Sequence, residues 1–349
     1  MEWVKSGRRG RWLTAGAASA VLLGLAGCGG GDDWKEPKQG QALVLLSTDG
    51  DAAYNGFGDT PLGLAVGRDN QVYGMFVDLV TVGKDHKLKT LRHHINGLYG
   101  LVALPDGSLV AGSGGQIVRL NANGQQSAVL AGAEGTGRKE GQPAPSSVPA
   151  KGYHFADKQP IPFAVRADDS VLITDEDVIW SLKGGTLTRL YQIPAASSQG
   201  RIRVAPSQLA GGTHTVYLAL QQTLGSIRAI GPDGTSRPIA LPRSIAGVTG
   251  DPSALHVAWI TGDGADGLYV NAFGKSKSYV LHLAGGKAEV IVEGADDKSD
   301  KPDPACKPGH LVEAKKLPCP MPYALAYSAS SGSLVMAGSA PYVLRIPVK

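Results

Sequence analysis

Residues 98–132 decide the fold class, and they read LYGLVALPDGSLVAGSGGQIVRLNANGQQSAVLAG. Four short apolar runs are separated by Pro-Asp-Gly, Ser-Gly-Gly and Asn-Ala-Asn-Gly. Each separator is a turn signal and each run has the length of a strand. The stretch therefore predicts a four-stranded antiparallel meander.

The same unit recurs along the chain in six copies. The predicted strands outside 98–132 lie at residues 61–66, 71–76, 79–82 and 87–91; 163–167, 170–174, 178–182 and 186–193; 202–205, 215–219, 226–230 and 235–241; 254–260, 267–272, 278–283 and 287–292; and 323–327, 333–337 and 342–346. The sixth copy lacks a fourth strand, whereas residues 41–47 form an unassigned strand at the other end of the chain. Because an open sheet edge is an aggregation hazard, we expect this N-terminal strand to complete the last blade as its outer strand. The chain is predicted to be all-β, a six-bladed β-propeller of four-stranded antiparallel blades that the N-terminal strand closes.

Two connections are longer than a blade of about 40–50 residues requires. They are the insertions at residues 133–162 and 294–322. Each insertion follows a fourth strand and precedes the next first strand, so we expect both on the same face of the ring. Long loops in a tight repeat usually carry function, which makes this face the predicted binding surface.

The composition fits a single large domain. Of 349 residues, 42% are hydrophobic and 18% charged, and the 48 glycines and 22 prolines lie between apolar runs. The formal charge is +4, and residues 1–27 carry four basic residues and one acidic residue, so about +1 remains without them. A chain this close to neutral has no electrostatic footprint for nucleic acid.

The N-terminus has the order of features expected of an export signal. Basic residues precede an apolar run at residues 12–24, which is shorter than the roughly 20 residues of a membrane span. Residues 25–28 (Leu-Ala-Gly-Cys) resemble the lipobox of bacterial lipoproteins, which implies a signal peptide at residues 1–27 and lipidation of Cys28. Residues 28–40 then read as a flexible tether to the propeller at residues 41–349.

The export route stays open between two alternatives. Arg8-Arg9 resembles the start of a twin-arginine signal, but Arg11 stands where that family usually carries an apolar residue. The departure favours the general secretory route. Either route leads to the same expected location, outside the cytoplasm and anchored to a bacterial membrane through acylated Cys28.

Several stretches resemble the NHL-repeat propellers. Residues 61–66 (PLGLAV) followed by residues 69–73 (DNQVY) resemble the repeat motif of that family, and residues 131–144 resemble its Gly-rich loop. Residues 171–175 (VLITD) continue the likeness. Blades four and five depart from it, and the resemblance implies the propeller fold.

Cys306 and Cys319 remain once Cys28 is acylated, and both lie in the second insertion. An even pair in one polar loop of an exported chain predicts a disulfide. The alternative is a metal site that uses His310, but no second His or Cys pair has ligand spacing.

Three aromatic residues occur near the starts of predicted innermost strands. They are Tyr99, Phe163 and Tyr323. They either form an apolar platform at one channel mouth, for a peptide, a glycan or a partner loop, or simply plug the tapering centre.

Candidate polar residues lie in and beside blade three. Asp175 and Glu176 belong to an acidic turn, which is read either as ligand-facing or as a solvated turn, and Tyr153 precedes His154 in the first insertion. Propeller lactonases use carboxylates and an amide that converge on the channel, whereas the first strands here do not begin with carboxylates. The sequence therefore predicts no catalytic residue, no metal and no cofactor.

Three functions follow from these observations. The first is a membrane-anchored extracytoplasmic propeller that binds a partner protein or extracellular ligand through its loop-rich face. The second is a metal-dependent envelope enzyme of the lactonase or lyase type. The third is a structural part of an envelope assembly.

Overall fold

A computed structural model describes residues 34–47, 62–67, 70–83, 86–95, 97–134, 137–139, 142–156, 159–194, 205–295, 304–338 and 342–349. The predicted signal peptide at residues 1–27 and the predicted lipidation site Cys28 lie outside these residues. Within them, no helix reaches the length and apolarity that a membrane crossing requires.

The described chain forms 26 strands and four single-turn 3₁₀ helices. The strands are β1 Gln41–Ser47, β2 Gly63–Val66, β3 Val72–Met75, β4 Leu79–Val82, β5 Leu88–Arg92, β6 Leu98–Ala103, β7 Leu109–Ser113, β8 Gln116–Leu120, β9 Gln126–Gly132, β10 Ser147–Pro149, β11 Ile161–Val165, β12 Val171–Asp175, β13 Val178–Lys183, β14 Thr186–Gln192, β15 Leu209–Gly211, β16 Val216–Ala219, β17 Ile227–Ile230, β18 Ser236–Pro238, β19 His256–Gly262, β20 Leu268–Phe273, β21 Lys277–Ala284, β22 Lys287–Ala295, β23 Leu311–Glu313, β24 Ala324–Ser328, β25 Ser333–Ala337 and β26 Tyr342–Pro347. The 3₁₀ helices are Pro206–Gln208, Leu224–Ser226, Pro252–Ala254 and Ala314–Lys316.

These strands make six antiparallel sheets, one for each predicted blade. Blades 1 to 5 start with β2, β6, β11, β15 and β19, and blade 6 starts with β24. The first strand of each blade contacts the first strand of the next, and β24 contacts β2, so the innermost strands form a closed ring. The predicted six-bladed propeller is confirmed.

Glycines let the innermost strands approach each other at the centre of the ring. A Cβ atom on Gly63 would lie 2.6 Å from the Cβ of Leu101, and one on Gly262 would lie 2.1 Å from the carbonyl oxygen of Gly211. A larger residue at these positions would push neighbouring blades apart. At these two positions glycine is needed because neighbouring strands approach closely, and not because the backbone has a positive φ.

The N-terminal strand closes the ring, as the sequence predicts. In β1, Leu43 lies opposite Arg345 and Ser47 lies opposite Tyr342 on β26. However, β1 is not the outermost strand, because β23 pairs on its outer side with Val312 opposite Ala42.

Each insertion adds a fifth strand to the outer edge of a blade. The first insertion supplies β10, which pairs with the last strand of blade 3, and the second supplies β23 on blade 6. Blades 3 and 6 are opposite each other in a ring of six. Both blades therefore end in an edge strand of three residues, which leaves little backbone to pair with another chain.

One predicted strand is wrong. Residues 202–204 of the expected first strand of blade 4 lie outside the described residues, and Ala205 is not in a strand. The first strand is β15, which starts at Leu209, seven residues after the predicted start. Pro206 explains the difference, because it starts a 3₁₀ helix and has no N–H group for a strand ladder.

The described end of the predicted tether, residues 34–40, lies against the propeller. Trp34 stacks on His86 with ring centroids 3.7 Å apart, and Glu36 pairs with Arg345. The carbonyl of Gly40 accepts a hydrogen bond from the amide of Ala314 at 2.9 Å. The chain is thus held to the domain before β1 begins.

Candidate functional site

The innermost strands enclose a central channel with a cavity of about 560 Å³. All six blades contribute to its wall. A volume of this size falls within the range of small-molecule sites in proteins, roughly 300–1,000 Å³. The channel is therefore the first candidate site.

The walls of the channel are mostly apolar side chains and backbone. The polar lining side chains within the described residues are Arg166, Thr213, Thr261, Tyr327, Ser328 and Ser330. No Asp, Glu or His lines this cavity in the part of the chain that the structure describes, and no group of three such residues there could hold a metal ion. The donor set does not fit a divalent metal, which prefers carboxylates, imidazoles or thiolates.

Arg166 is the one cationic side chain among these lining residues. It follows β11 and begins the turn to β12, and it is half-buried. Its Nη2 lies 3.4 Å from the carbonyl oxygen of His214, and its buried Nε has no hydrogen-bond partner. Burial lowers the pKa of Arg166.

The face that carries the insertions is the second candidate. We call it the insertion face, and it consists of the turns between second and third strands and the connections from fourth to first strands. Among the described residues, the exposed large hydrophobic side chains are Leu62, Val77 and Leu220. Leu62 ends a connection, while Val77 and Leu220 lie in turns between second and third strands, so all three belong to this face.

Leu62 and Val77 are each hydrogen-bonded through the backbone to residues 95–100, where blades 1 and 2 meet. The amide of Gly100 donates to the carbonyl of Leu62 at 3.2 Å, and the amide of Ile95 donates to the carbonyl of Val77 at 3.0 Å. Leu62 is 42% exposed and Val77 is 56% exposed. These backbone bonds fix the apolar side chains on a rigid part of the ring.

The first insertion is fastened to blade 3 by a buried polar network. Arg138 donates to Asp177, and both side chains are less than a tenth exposed. Gln192 donates to the same carboxylate at 2.9 Å and to the carbonyl of Gln142 at the same distance. The network holds the insertion over the turn between the second and third strands of the blade.

The acidic turn is therefore not solvated. Asp175 is fully buried and accepts a hydrogen bond from the amide of Ala156 at 3.1 Å, and Asp177 is 6% exposed. Glu176 between them is half-buried with a φ of 52°. The expectation of a solvated turn is wrong because the insertion folds over these residues, and the carboxylates of Asp175 and Asp177 bind the chain's own groups.

Tyr153 and His154 have different surroundings. Tyr153 is half-buried and makes edge-on contacts with Phe155 and Trp180, each with ring centroids 5.3 Å apart. Burial and the nearby charge of Asp175 raise the pKa of the Tyr153 hydroxyl. His154 is exposed. Tyr153 is thus a packing residue of the insertion, and His154 lies at its surface.

The three predicted aromatics do not form one cluster. No ring contact joins Tyr99, Phe163 and Tyr323 in the described parts of the chain. Phe163 lines the channel, whereas Tyr323 packs against Trp259 and Phe273 with ring centroids 6.4 and 6.3 Å apart. Of the three, only Phe163 lines the cavity within the described residues, and a shared aromatic platform stays a prediction.

Trp259 is a channel residue that sequence reasoning missed. It lies on β19 and is 6% exposed. The sequence contained a signal for this channel residue, because Trp259 is the largest aromatic residue within a predicted innermost strand. Arg166 was missed because its lack of a charged partner is not visible from the sequence.

The predicted disulfide is present. Cys306 and Cys319 are bonded, with Cα atoms 5.7 Å apart, and both are almost completely buried. Between them the chain forms β23, and the amide of Gly309 donates to the carbonyl of Val44 at 2.9 Å. The disulfide thus closes the loop that covers the outer edge of blade 6.

Comparison with family models and with curated proteins finds no match. Among solved structures, the chain is similar to a gluconolactonase from Xanthomonas campestris, with a TM-score of 0.50, 14% identity, and coverage of 88% of this chain and 89% of the other. It is also similar to an auxiliary nutrient binding protein from Bacteroides thetaiotaomicron, with a TM-score of 0.51, 9% identity, and coverage of 87% and 75%. At these identities the likeness shows the propeller fold alone.

Proposed function

We propose that this chain is a lipid-anchored binding protein outside the cytoplasm, which binds a partner protein or extracellular ligand through its insertion face. One observation carries the proposal. The three exposed large hydrophobic side chains of the described residues, Leu62, Val77 and Leu220, all lie on that face. Leu62 and Val77 belong to blade 1 and Leu220 to blade 4, so the insertion face exposes apolar side chains on two sides of the ring, which suits a partner that spans it.

The rigidity of the insertion face supports the same function. The first insertion is held by the buried pair of Arg138 and Asp177, and the second by the disulfide of Cys306 and Cys319. A surface that is ordered before binding loses less conformational entropy when a partner binds. The insertions thus serve as fixed elements of a preformed surface.

The anchor rests on the sequence. Residues 25–28 resemble a lipobox, and Cys28 is the residue that such a signal presents for acylation. We expect Cys28→Ser to move the protein from the membrane fraction to the soluble fraction. Recovery of Cys28→Ser in the membrane fraction at the wild-type level would contradict lipidation.

A metal-dependent enzyme of the lactonase or lyase type is the second candidate. Its support is the shared fold with a structure named as a gluconolactonase. The channel argues against it, because its described lining offers no carboxylate or imidazole. Metal analysis of the purified protein separates the two candidates. A stoichiometric divalent metal together with a lactonase activity in the purified protein would favour the enzyme.

The test of binding compares two single substitutions. Val77→Asp places a charge on the insertion face, whereas Ala122→Asp places the same charge in an exposed turn on the opposite face. We expect Val77→Asp to reduce the amount of a co-purifying envelope protein or ligand, while Ala122→Asp leaves it unchanged. Equal recovery with both variants would contradict the proposal.

A further inference from the structure

We propose that Arg166 forms a subsite for a small organic anion in the central channel, independent of the insertion face. The ligand has an apolar body that occupies the channel and a carboxylate or phosphate head that contacts Arg166. The site opens on the face opposite the insertions, because Arg166 begins the turn between the first and second strands of blade 3.

The hydrogen-bonding state of Arg166 is the first argument. Its buried Nε has no partner, and its Nη2 makes one long contact of 3.4 Å with the carbonyl of His214. No ion pair joins it to a carboxylate in the described residues. A half-buried guanidinium that has donors to spare is an arrangement suited to the planar recognition of a carboxylate or phosphate.

The nearest carboxylates are already engaged by other groups. Asp168 accepts from Lys183 Nζ at 2.8 Å and from Ser170 Oγ at 2.7 Å. Asp266 accepts from the amide of His214 at 2.8 Å and lies 3.1 Å from its ring. Neither carboxylate is paired directly with Arg166, although both lie near enough to favour its charged form.

The repeat shows that the fold does not require an arginine at this position. In blades 1 to 5 the first residue of the turn between the first and second strands donates its amide to the carbonyl of a later turn residue, as Arg166 does to Ser170. In the equivalent positions blade 1 has Gly67, blade 2 has Leu104 and blade 4 has Gly212. Blade 5 has Asp263, which is 3.1 Å from His282 on a third strand of its own blade. Among these equivalent residues, Arg166 in blade 3 is therefore the one that places a positive charge at the channel wall.

The lining of the channel indicates the chemistry of the ligand's body. Its cavity of about 560 Å³ has walls such as Phe163, Trp259 and Leu325, which favour an apolar body. Thr213 and Thr261 add hydroxyl groups to the lining. Burial of the apolar body supplies affinity, while Arg166 supplies preference for the charged head.

Calorimetric titration with octanoate, octyl phosphate and 1-octanol tests the subsite. The three probes share one apolar chain and differ in the head group. We expect at least one of the anions to bind wild-type protein about tenfold or more tightly than 1-octanol, as a charge-assisted bond predicts. We expect Arg166→Gln to remove that difference and Arg166→Lys to retain part of it. The stronger anion identifies the head group.

The matched control is Arg243→Gln, which removes the same charge from an exposed position. It should bind all three probes as wild type does. Equal binding of the anions and 1-octanol to wild type, no binding of either anion, or the same result with Arg166→Gln and Arg243→Gln would overturn the proposal.

Thermal unfolding without ligand distinguishes a binding role from a structural one. An unpaired half-buried cation does not stabilise the fold, so Arg166→Gln should unfold at the wild-type temperature or above it. A lower unfolding temperature would assign Arg166 a structural role instead. These outcomes do not depend on Val77, so failure of the subsite and failure of the insertion-face proposal are distinguishable.

Discussion

Arg138 and Asp177 form a buried ion pair between positions that are 39 residues apart in the sequence. Arg138 belongs to the first insertion, and Asp177 lies in the turn between the second and third strands of blade 3. Because the pair joins the insertion to the blade, it fixes part of the insertion face. Its carboxylate also accepts from Gln192 at 2.9 Å.

Removing one partner of this pair should strongly lower the free energy of unfolding. Asp177→Ala leaves the Arg138 charge buried and uncompensated, so we expect a loss of about 3–5 kcal/mol of unfolding free energy. Urea denaturation measures the loss. The control is Asp106→Ala, which breaks a pair with Arg119 whose two side chains are 55% and 35% exposed. That change should cost less than about 1 kcal/mol, and equal losses would show that the Arg138–Asp177 pair is not buried.

The disulfide should stabilise one part of the molecule more than the rest. Replacing Cys306 and Cys319 by alanine opens a loop with a sequence separation of 13. The chain-entropy argument predicts a loss on the order of 3 kcal/mol. Hydrogen exchange should rise in Leu311–Glu313 and change little in blade 2. A uniform rise through all blades would contradict this local role.

Because the innermost strands pack closely, we expect an alanine substitution to lower stability much more at Gly262 than at Gly274. A Cβ atom at position 262 would lie 2.1 Å from the carbonyl oxygen of Gly211, whereas one at Gly274 would approach no atom closer than 3.4 Å. Neither glycine has a positive φ. We expect Gly262→Ala to cost about 1–3 kcal/mol or more through overpacking.

Gly274→Ala, the matched variant, should stay close to wild type in the same urea titration. Equal stability of the two variants would mean that neighbouring innermost strands do not approach as closely as the structure shows.

The buried carboxylate of Asp263 should contribute to acid stability. Burial opposes its ionisation, but hydrogen bonds from His282, Ala265 and Gly267 together hold its pKa below the ordinary value of 3.8. A lowered carboxyl pKa contributes stability that is fully present above the unfolded pKa and is lost as the pH falls through the folded pKa.

We therefore expect Asp263→Asn to lower stability at neutral pH and to flatten the loss of stability below about pH 4. Urea unfolding across that range measures both effects. Asp251 gives the comparison, because its pKa is lowered only by a local turn with Ser253 at the exposed surface, so Asp251→Asn should flatten the profile less than Asp263→Asn. An unchanged pH profile in Asp263→Asn would contradict the role of Asp263.

The architecture was predictable from the sequence because each blade repeats local signals. Turn residues such as Asp106 and Gly107 separate apolar runs of strand length, and the unassigned N-terminal strand required a partner. The boundaries of Ser333–Ala337 and Leu79–Val82 follow directly from these signals. The first strand of blade 4 was predicted too early in the sequence. Its apolar run at residues 202–205 ends at Pro206, and β15 begins only after this proline.

The candidate sites were less predictable because they depend on contacts between distant residues. Asp177 reads as a surface carboxylate until Arg138 folds over it, and Arg166 reads as an ordinary turn residue until its missing partners are known. The disulfide was predictable, because two cysteines in one loop leave a single pairing. Side-chain burial at the insertions was not predictable, since the insertions lack the period of the repeat.

The most direct test of the central claim is site-specific photo-crosslinking in living cells. A benzophenone side chain is placed at Val77 or Leu220 on the insertion face, and at Ala122 on the opposite face as the control. We expect crosslinked adducts from Val77 and Leu220 and none from Ala122. Adducts from Ala122 in the absence of adducts from Val77 and Leu220 would contradict it.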